Sequence, residues 1–381
     1  MDIIPYGKQQ LEQSDIDAVV KVLKSDYWTQ GPEVLEFENS FAKYTCSKYA
    51  VAVANGTAAL HLCALALEVN ENSNVITSPI TFAASANCVQ YCGGNVYFAD
   101  IDSKTFLIDI EKVKELIASK PKGFFTGIIP VDFAGNAVNL EAFKALAKEH
   151  NLWIIEDACH APGGYFTDSK GIKQQCGNGS FADLAIFSFH PVKHIACGEG
   201  GMITTNDEAL YNKLLKLRTH GITKDPALME ENHGGWYMEM QTLGYNYRIP
   251  DVLCALGSSQ LLRADEGLKK RMEIANRYSE SLKDCNIILP DYDAGHAFHL
   301  YVIQTSRRKE LYDFLKTQNI YCQVHYIPVH LHPYYKQLGN KKGDYPLSEK
   351  YYDACLSLPM YPTLKEEEQN YVIEKIKSFL A

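Results

Sequence analysis

Several features are missing from this chain of 381 residues, and each absence removes a class of function. No apolar run reaches the ~18 residues that a membrane-spanning helix needs, so no membrane span is expected. The start, Met1-Asp-Ile-Ile-Pro-Tyr-Gly-Lys-Gln-Gln10, has neither a basic cluster nor an apolar stretch. A secretory signal is therefore not expected, and a cytoplasmic location is. Positive charge is in deficit: 37 Lys and Arg against 46 Asp and Glu leave a formal net charge of −9. That argues against a general affinity for nucleic acid, while a local basic pocket for a nucleotide diphosphate stays compatible. No Gly-x-Gly-x-x-Gly turn follows an early strand, which disfavours a nicotinamide-dependent reductase. His325, His330 and His332 lie close together without a companion acid or a His-Glu-x-x-His helix, so no metal is expected. The eleven cysteines are scattered and odd in number; Cys88 and Cys92 are four apart with no second pair. They read as mostly buried free thiols.

What is present is an ordinary globular composition with a regular alternation of elements. Strand-like runs cover 49–54, 75–80, 95–100, 126–133, 152–158, 184–189 and 201–205. Helical periodicity covers 15–24 (with Ser14 as its cap), 33–44, 60–67, 110–118, 140–150 and 207–217. Alternation of this kind predicts an α/β fold with a mainly parallel central sheet flanked by helices. After Pro250 the pattern changes. Residues 251–283 predict a long helix or two, 286–289, 299–305 and 321–327 strands, and 309–318 and 364–380 helices. This divides the chain into a large domain, 1–250, and a smaller C-terminal α+β domain, 251–381.

Three places carry candidate chemistry. Lys193 stands just past the apolar strand Leu184 to Phe189, among His190, His194 and glycines. A partly desolvated amine there favours its neutral form, which makes a Schiff base with an aldehyde. Asp157 ends the apolar run from Leu152, where ligands of open α/β sheets bind. Asn55-Gly-Thr-Ala-Ala-Leu60 opens a helix after a strand, and the free N–H groups and dipole of such a junction favour an anion. A phosphate cradle, a carboxylate at a strand end and a Schiff-base lysine are the groups that pyridoxal 5′-phosphate requires.

Ordered motifs extend the pattern: Thr29-Gln-Gly-Pro32, Pro79-Ile-Thr-Phe82, Pro130 to Gly135, Glu156 to Ala161, Phe187 to Lys193, Gly198-Glu-Gly-Gly201, Gly244 to Arg248, His325 to Pro328 and Ser357 to Pro362. With them the chain resembles the nucleotide-sugar aminotransferases of the fold-type I pyridoxal-phosphate enzymes. Trp236 to Gln241 and Leu243 to Arg248 are most similar to the branch that serves bacterial pseudaminic acid synthesis and flagellin glycosylation. The resemblance implies an amino transfer from L-glutamate to the C4 ketone of a UDP-linked 4-keto-6-deoxy-N-acetylhexosamine, with pyridoxamine 5′-phosphate as the intermediate form of the cofactor. It implies Lys193 as the Schiff-base lysine and Asp157 as the acid facing the pyridine nitrogen. His160 would hydrogen-bond the phenolic oxygen, its charge left open, and Phe82 would stack on the ring. Gly56, Thr57, Ala58 and Ser188 would hold the phosphate, with Asn246 donated by a neighbouring subunit, hence a homodimer with shared sites. Thr29, Tyr247, His325 and Tyr326 would reach the substrate. Glu199 would order backbone N–H groups, and Asp132 departs from the His common at its position. Aminotransferases of other nucleotide keto-sugars, a sugar dehydratase and a non-catalytic regulator share the pattern; the intact Lys193 opposes the last two.

Overall fold

The computed structural model describes residues 2–381. Its centre is a seven-stranded sheet, built from β1 (Tyr49–Val53), β2 (Asn74–Thr77), β3 (Asn95–Phe98), β4 (Gly127–Ile129), β5 (Trp153–Asp157), β6 (Leu184–Ser188) and β7 (Gly201–Thr205). The spatial order is β1-β7-β6-β5-β4-β2-β3, and only β7 runs against its neighbours. Apart from the edge strand β3, which is partly exposed, the strands are buried on both faces, so they read as apolar runs rather than as alternating ones. Register is fixed by packing. Gly127 lies opposite Trp153, and a Cβ on Gly127 would stand 2.2 Å from the indole ring.

Helices cover the sheet: α1 (Gln13–Leu23), α2 (Pro32–Thr45), α3 (Gly56–Ala66), α4 (Ala84–Tyr91), α5 (Ile110–Ala118), α6 (Leu140–His150), α7 (Glu208–Arg218), α8 (Asp251–Leu261) and α9 (Ala264–Leu282). Nearly every residue of α3 is buried, which places its N-terminus inside the molecule. Phe37, Phe41, Phe187 and Phe189 form an edge-to-face aromatic group between α2 and the sheet. A second core gathers Ile4 with residues of α9, of the antiparallel pair Tyr301–Gln304 and Cys355–Leu358, and of the helices Arg308–Thr317 and Glu366–Leu380. Ile4–Pro5 pairs in parallel with Ile320–Tyr321, so this segment belongs to the second core although α2, further along the chain, packs with the large sheet.

Three local expectations are corrected. Ser14 does not cap α1; Glu12 does, in a capping box with Asp15. Asp15 is held there by Arg263 at 2.7 Å and Gln260 at 2.9 Å, a tertiary tie invisible to local spacing. The run 321–327 is not a strand. It pairs at Ile320–Tyr321 and bridges once at Gln323, after which side chains take over: His325 Nδ1 lies 2.8 Å from Ser357 Oγ, and Tyr351 donates to His325 O at 2.9 Å. The run 286–289 contributes a single bridge, Ile288 to Gln304. Seven of the eleven cysteines are buried as free thiols, as expected.

Candidate active site

Beyond β1, Asn55 adopts an extended backbone and its Oδ1 accepts the Ala58 N–H at 2.8 Å, an N-cap for α3. The first N–H groups of a helix have no acceptor within it, and here Gly56 and Thr57 line a cavity of about 450 Å³. Ser188, at the end of β6, faces them: a Cβ on Gly56 would come within 3.1 Å of Ser188 Cβ. Gly201 on β7 is needed for the same reason, since a Cβ there would lie 2.5 Å from the Asn55 carbonyl carbon. Two glycines therefore keep open a small anion-favouring hollow.

Asp157, the last residue of β5, is buried and lines the same cavity. Its Oδ2 accepts the Ser85 hydroxyl at 2.6 Å and its Oδ1 accepts the Cys159 N–H at 3.2 Å. Among the described residues it forms no salt bridge, so lone pairs remain for a ligand. His160 follows in the same turn. The Ala134 N–H donates to its Nδ1 at 3.2 Å, so the ring proton sits on Nε2 and points to Tyr326 Oη, 3.2 Å away. Burial holds the imidazole well below its ordinary range, and Lys193, His325 and His194 add to the effect. His160 is thus a neutral donor, which answers the question its sequence left open.

Lys193 lies in the link between β6 and β7, its N–H bonded to His190 O at 2.8 Å. The residue keeps some exposure through the cavity mouth, but its amine is desolvated, and this lowers its pKa against the opposing pull of Cys159 and Asp157. The neutral amine that nucleophilic chemistry needs is favoured. Its Nζ stands 3.5 Å from Nε2 of His299, a buried ring that stacks 4.2 Å from His160. Arg271, wholly buried, donates to the carbonyl oxygens of Phe298 at 3.2 Å, His299 at 3.3 Å and Met360 at 3.0 Å and so fixes that segment.

The cavity brings together Gly56, Thr57, Phe82, Asp157, His160, Ser188, Lys193, His325 and Tyr326. Phe82 is 62% exposed, a ring on the cavity wall rather than in the core. Four expected residues stand elsewhere in the single chain. Ala58 spends its N–H on Asn55. Thr29 is exposed in the loop after α1, and Asn246 is exposed next to α7 through its bridge to Thr219. Tyr247 packs against α3, its hydroxyl 3.0 Å from His61 Nδ1. Glu199 does not order backbone N–H groups; among the described residues its carboxylate has no hydrogen-bond partner, and it lines the cavity. The histidines read as a cluster diverge as well, since His330 bonds Glu349 at 3.0 Å while His325 bonds Ser357. Sequence reasoning missed Tyr6, Ser85 and His299, all of which line the cavity. Their only signal was polarity at the margin of apolar runs.

The donor set fits pyridoxal 5′-phosphate: an anion hollow kept free of Cβ atoms, a carboxylate with open lone pairs, a neutral imidazole donor and a desolvated amine share one cavity. Comparison with known proteins agrees. The model of the DegT/DnrJ/EryC1/StrS aminotransferase family matches residues 9–377. The spore coat polysaccharide biosynthesis protein SpsC of Bacillus subtilis is 38% identical over 99% of this chain and 97% of its own. The UDP-4-amino-4,6-dideoxy-N-acetyl-beta-L-altrosamine transaminase of Campylobacter jejuni (serotype O:2) is 36% identical over 99% of this chain and 98% of its own. Among solved structures, Helicobacter pylori PseC, an aminotransferase involved in the biosynthesis of pseudoaminic acid, superposes with a TM-score of 0.90 at 29% identity, covering 100% of this chain and 99% of that one. Spr1654 of Streptococcus pneumoniae superposes with TM-scores of 0.90 in its PMP form (98% of each chain covered) and 0.88 in its PLP form (99% of this chain and 98% of that one), both at 27% identity. The chain belongs to the DegT/DnrJ/EryC1/StrS aminotransferase family, and it is a sugar aminotransferase whose cofactor is pyridoxal 5′-phosphate.

Proposed function

We propose that this enzyme moves an amino group from L-glutamate to the C4 ketone of a UDP-linked 4-keto-6-deoxy-N-acetylhexosamine, in the manner of the pseudaminic acid branch of the family. The observation that carries the chemistry is Lys193, a desolvated amine across one cavity from Asp157. When bound, the cofactor supplies an aldehyde and an electron-withdrawing ring. In the proposed arrangement Asp157 would hold the ring nitrogen protonated, and His160 Nε2–H, which faces Tyr326 Oη here, would turn to donate to the phenolic oxygen. Gly56, Thr57 and Ser188 take the phosphate. Lys193 Nζ would accept the α-proton of the donor amino acid and return a proton in the second half of the cycle. Desolvation lowers its pKa and so favours the neutral amine that can accept a proton. Tyr326 and His325 line the cavity and would meet the sugar there, and the resemblance adds Thr29 and Tyr247 to the proposed sugar contacts.

The substrate assignment is supported by the similarity to the Campylobacter jejuni transaminase and to PseC. A homodimer is part of the proposal. Asn246 is exposed and stands away from its own cavity, near the exposed Trp236, Met240 and Leu243, so a second copy could both cover this face and receive Asn246 at its phosphate. Cytoplasmic location is likewise proposed; among the described residues no helix is long and apolar enough to cross a membrane.

The test is an absorption spectrum of the purified protein loaded with the cofactor, before and after L-glutamate, then with UDP-keto-sugars. A visible band that glutamate bleaches and a UDP-4-keto-6-deoxy-N-acetylhexosamine restores is the expected result. Restoration only by a dTDP- or GDP-linked sugar would overturn the substrate assignment. A band that glutamate leaves intact would overturn the donor.

A further inference from the structure

The carboxylate of Asp157 has an unusual set of supports for a buried anion. Among the described residues, no Arg or Lys forms an ion pair with it. The nearby thiols Cys63, Cys88 and Cys159 are pushed up by burial and stay neutral. The terminal torsion of an Asp side chain is broad, so without fixed partners the carboxylate plane is free to turn. Two donors fix it here, the Cys159 N–H on Oδ1 at 3.2 Å and the Ser85 hydroxyl on Oδ2 at 2.6 Å. The second lies in the range of a charge-assisted O–H···O⁻ bond.

The direction of the Ser85 proton follows from its neighbours. Thr81 Oγ1 is 2.7 Å from Ser85 Oγ and has no other hydrogen-bond partner among the described residues; either hydroxyl can be the donor by distance alone, and Thr81 donates wherever Ser85 gives its own proton to another acceptor. Ser85 then has one proton to place. Its choices are the carboxylate at 2.6 Å and the Phe82 carbonyl at 3.3 Å, one turn back in the same segment. A helical serine often bonds the carbonyl one turn back, which would be a purely structural role. Distance and charge both favour the carboxylate. Thr81 and Ser85 are buried, and both line the cavity together with Asp157.

We propose that Ser85 is a positioning residue, whose hydroxyl, relayed from Thr81, clamps the Asp157 carboxylate in the plane from which it meets the ring nitrogen of the cofactor. This rests on the role given to Asp157 above. Without the hydroxyl, Oδ2 is left unpaired in a buried place and the carboxylate turns. The ring nitrogen is then held less firmly, although binding of the amino donor at the cavity mouth is untouched.

The experiment compares Ser85→Ala, Thr81→Ala and Asp157→Asn with the wild-type chain, each loaded with pyridoxal 5′-phosphate. The readouts are the visible absorption band titrated from pH 6 to 9, retention of the cofactor on dialysis, and kcat and KM for the glutamate half-reaction. For Ser85→Ala the expected result is a displaced titration of the band and a kcat lower by about 10- to 100-fold, the range for loss of a hydrogen bond to a charged group. KM for glutamate should stay within about twofold, because only an interaction at the reacting centre has been removed. Thr81→Ala, which keeps the Ser85 hydroxyl, should move the same readouts in the same direction by less, and it serves if Ser85→Ala does not fold. Asp157→Asn should move them furthest. A wild-type titration and kcat in Ser85→Ala and Thr81→Ala, beside a disturbed Asp157→Asn, would overturn the clamp and leave the role of Asp157 standing. The same holds if melting temperature alone falls. A wild-type Asp157→Asn would remove the role of Asp157, and the clamp with it.

Discussion

Lys193 is the residue on which the chemistry turns. Its position after β6 is a matter of sequence, but the burial that lowers its pKa comes from three distant segments, which bring Asp157 with Cys159, Arg271 and His299 around it; Asp157 and Cys159 pull the other way. Lys193→Ala should abolish turnover while the fold and phosphate-driven retention of the cofactor persist; the visible band of the lysine-bound cofactor should be lost. Turnover within tenfold of wild type, measured with glutamate and a keto-sugar, would remove Lys193 from its role. Lys193→Arg should behave likewise, since a guanidinium stays charged. His160 shows the complement. Its identity was readable, its charge was not, because neutrality follows from burial and from the Ala134 N–H that occupies Nδ1.

At the scale of elements, β5 ends in two acids that do opposite things. Asp157 faces the cavity, and Glu156, on the other face, is buried against Asp132 and Cys176. Asp132 Oδ1 accepts the Val138 N–H at 2.8 Å and Glu156 Oε2 accepts the Gly177 N–H at 3.0 Å, which leaves the two carboxyls facing each other. Burial pushes both upward, and the charge of Asp132 pushes Glu156 further in the same direction, which favours a protonated carboxyl in the pair. Because the folded pair binds its proton more tightly than the unfolded chain does, its stability contribution is full below the ordinary carboxyl range near 4 and is lost as pH rises through and above neutrality. Glu156→Gln imitates the protonated acid. It should raise stability at pH 8 by on the order of 1–2 kcal/mol and change it little at pH 5. Melting curves at the two pH values check this, and an equal loss at both would refute a protonated carboxyl in the pair. Asp132, which looked in sequence like a departure near the substrate, is thus a structural partner of Glu156 inside the molecule.

For the whole molecule, the proposal of shared sites predicts complementation. Each site would use its own Lys193 and the Asn246 of the other subunit. Lys193→Ala and Asn246→Ala chains, each weak alone, should regain activity when mixed and refolded together. Random pairing limits the gain to about a quarter of wild type, as half the dimers would carry one intact site of two. No gain on mixing, with dimers confirmed by mass, would place Asn246 outside the partner's site.

Much of this enzyme was readable from sequence because the relevant signals are local. The alternation of apolar runs with helical periods sets a mainly parallel sheet, and strand-to-turn junctions put Gly56, Asp157, Ser188 and Lys193 at one edge of it, since parallel strands end together. The rest depended on contacts between distant segments. Ser85 becomes a partner of Asp157 only when the first turn of α4 reaches the end of β5, and Tyr6 and His299 reach the cavity only when the second core docks on the sheet. The run from Tyr321 to Ile327 has the composition of a strand, but the partners that would complete it are side chains from 351 to 357. Sequence determined which groups the chain owns and at which sheet edge they emerge. The tertiary structure decided which are neutral, which are clamped and which face one another, because desolvation and hydrogen-bond geometry are properties of the packed interior.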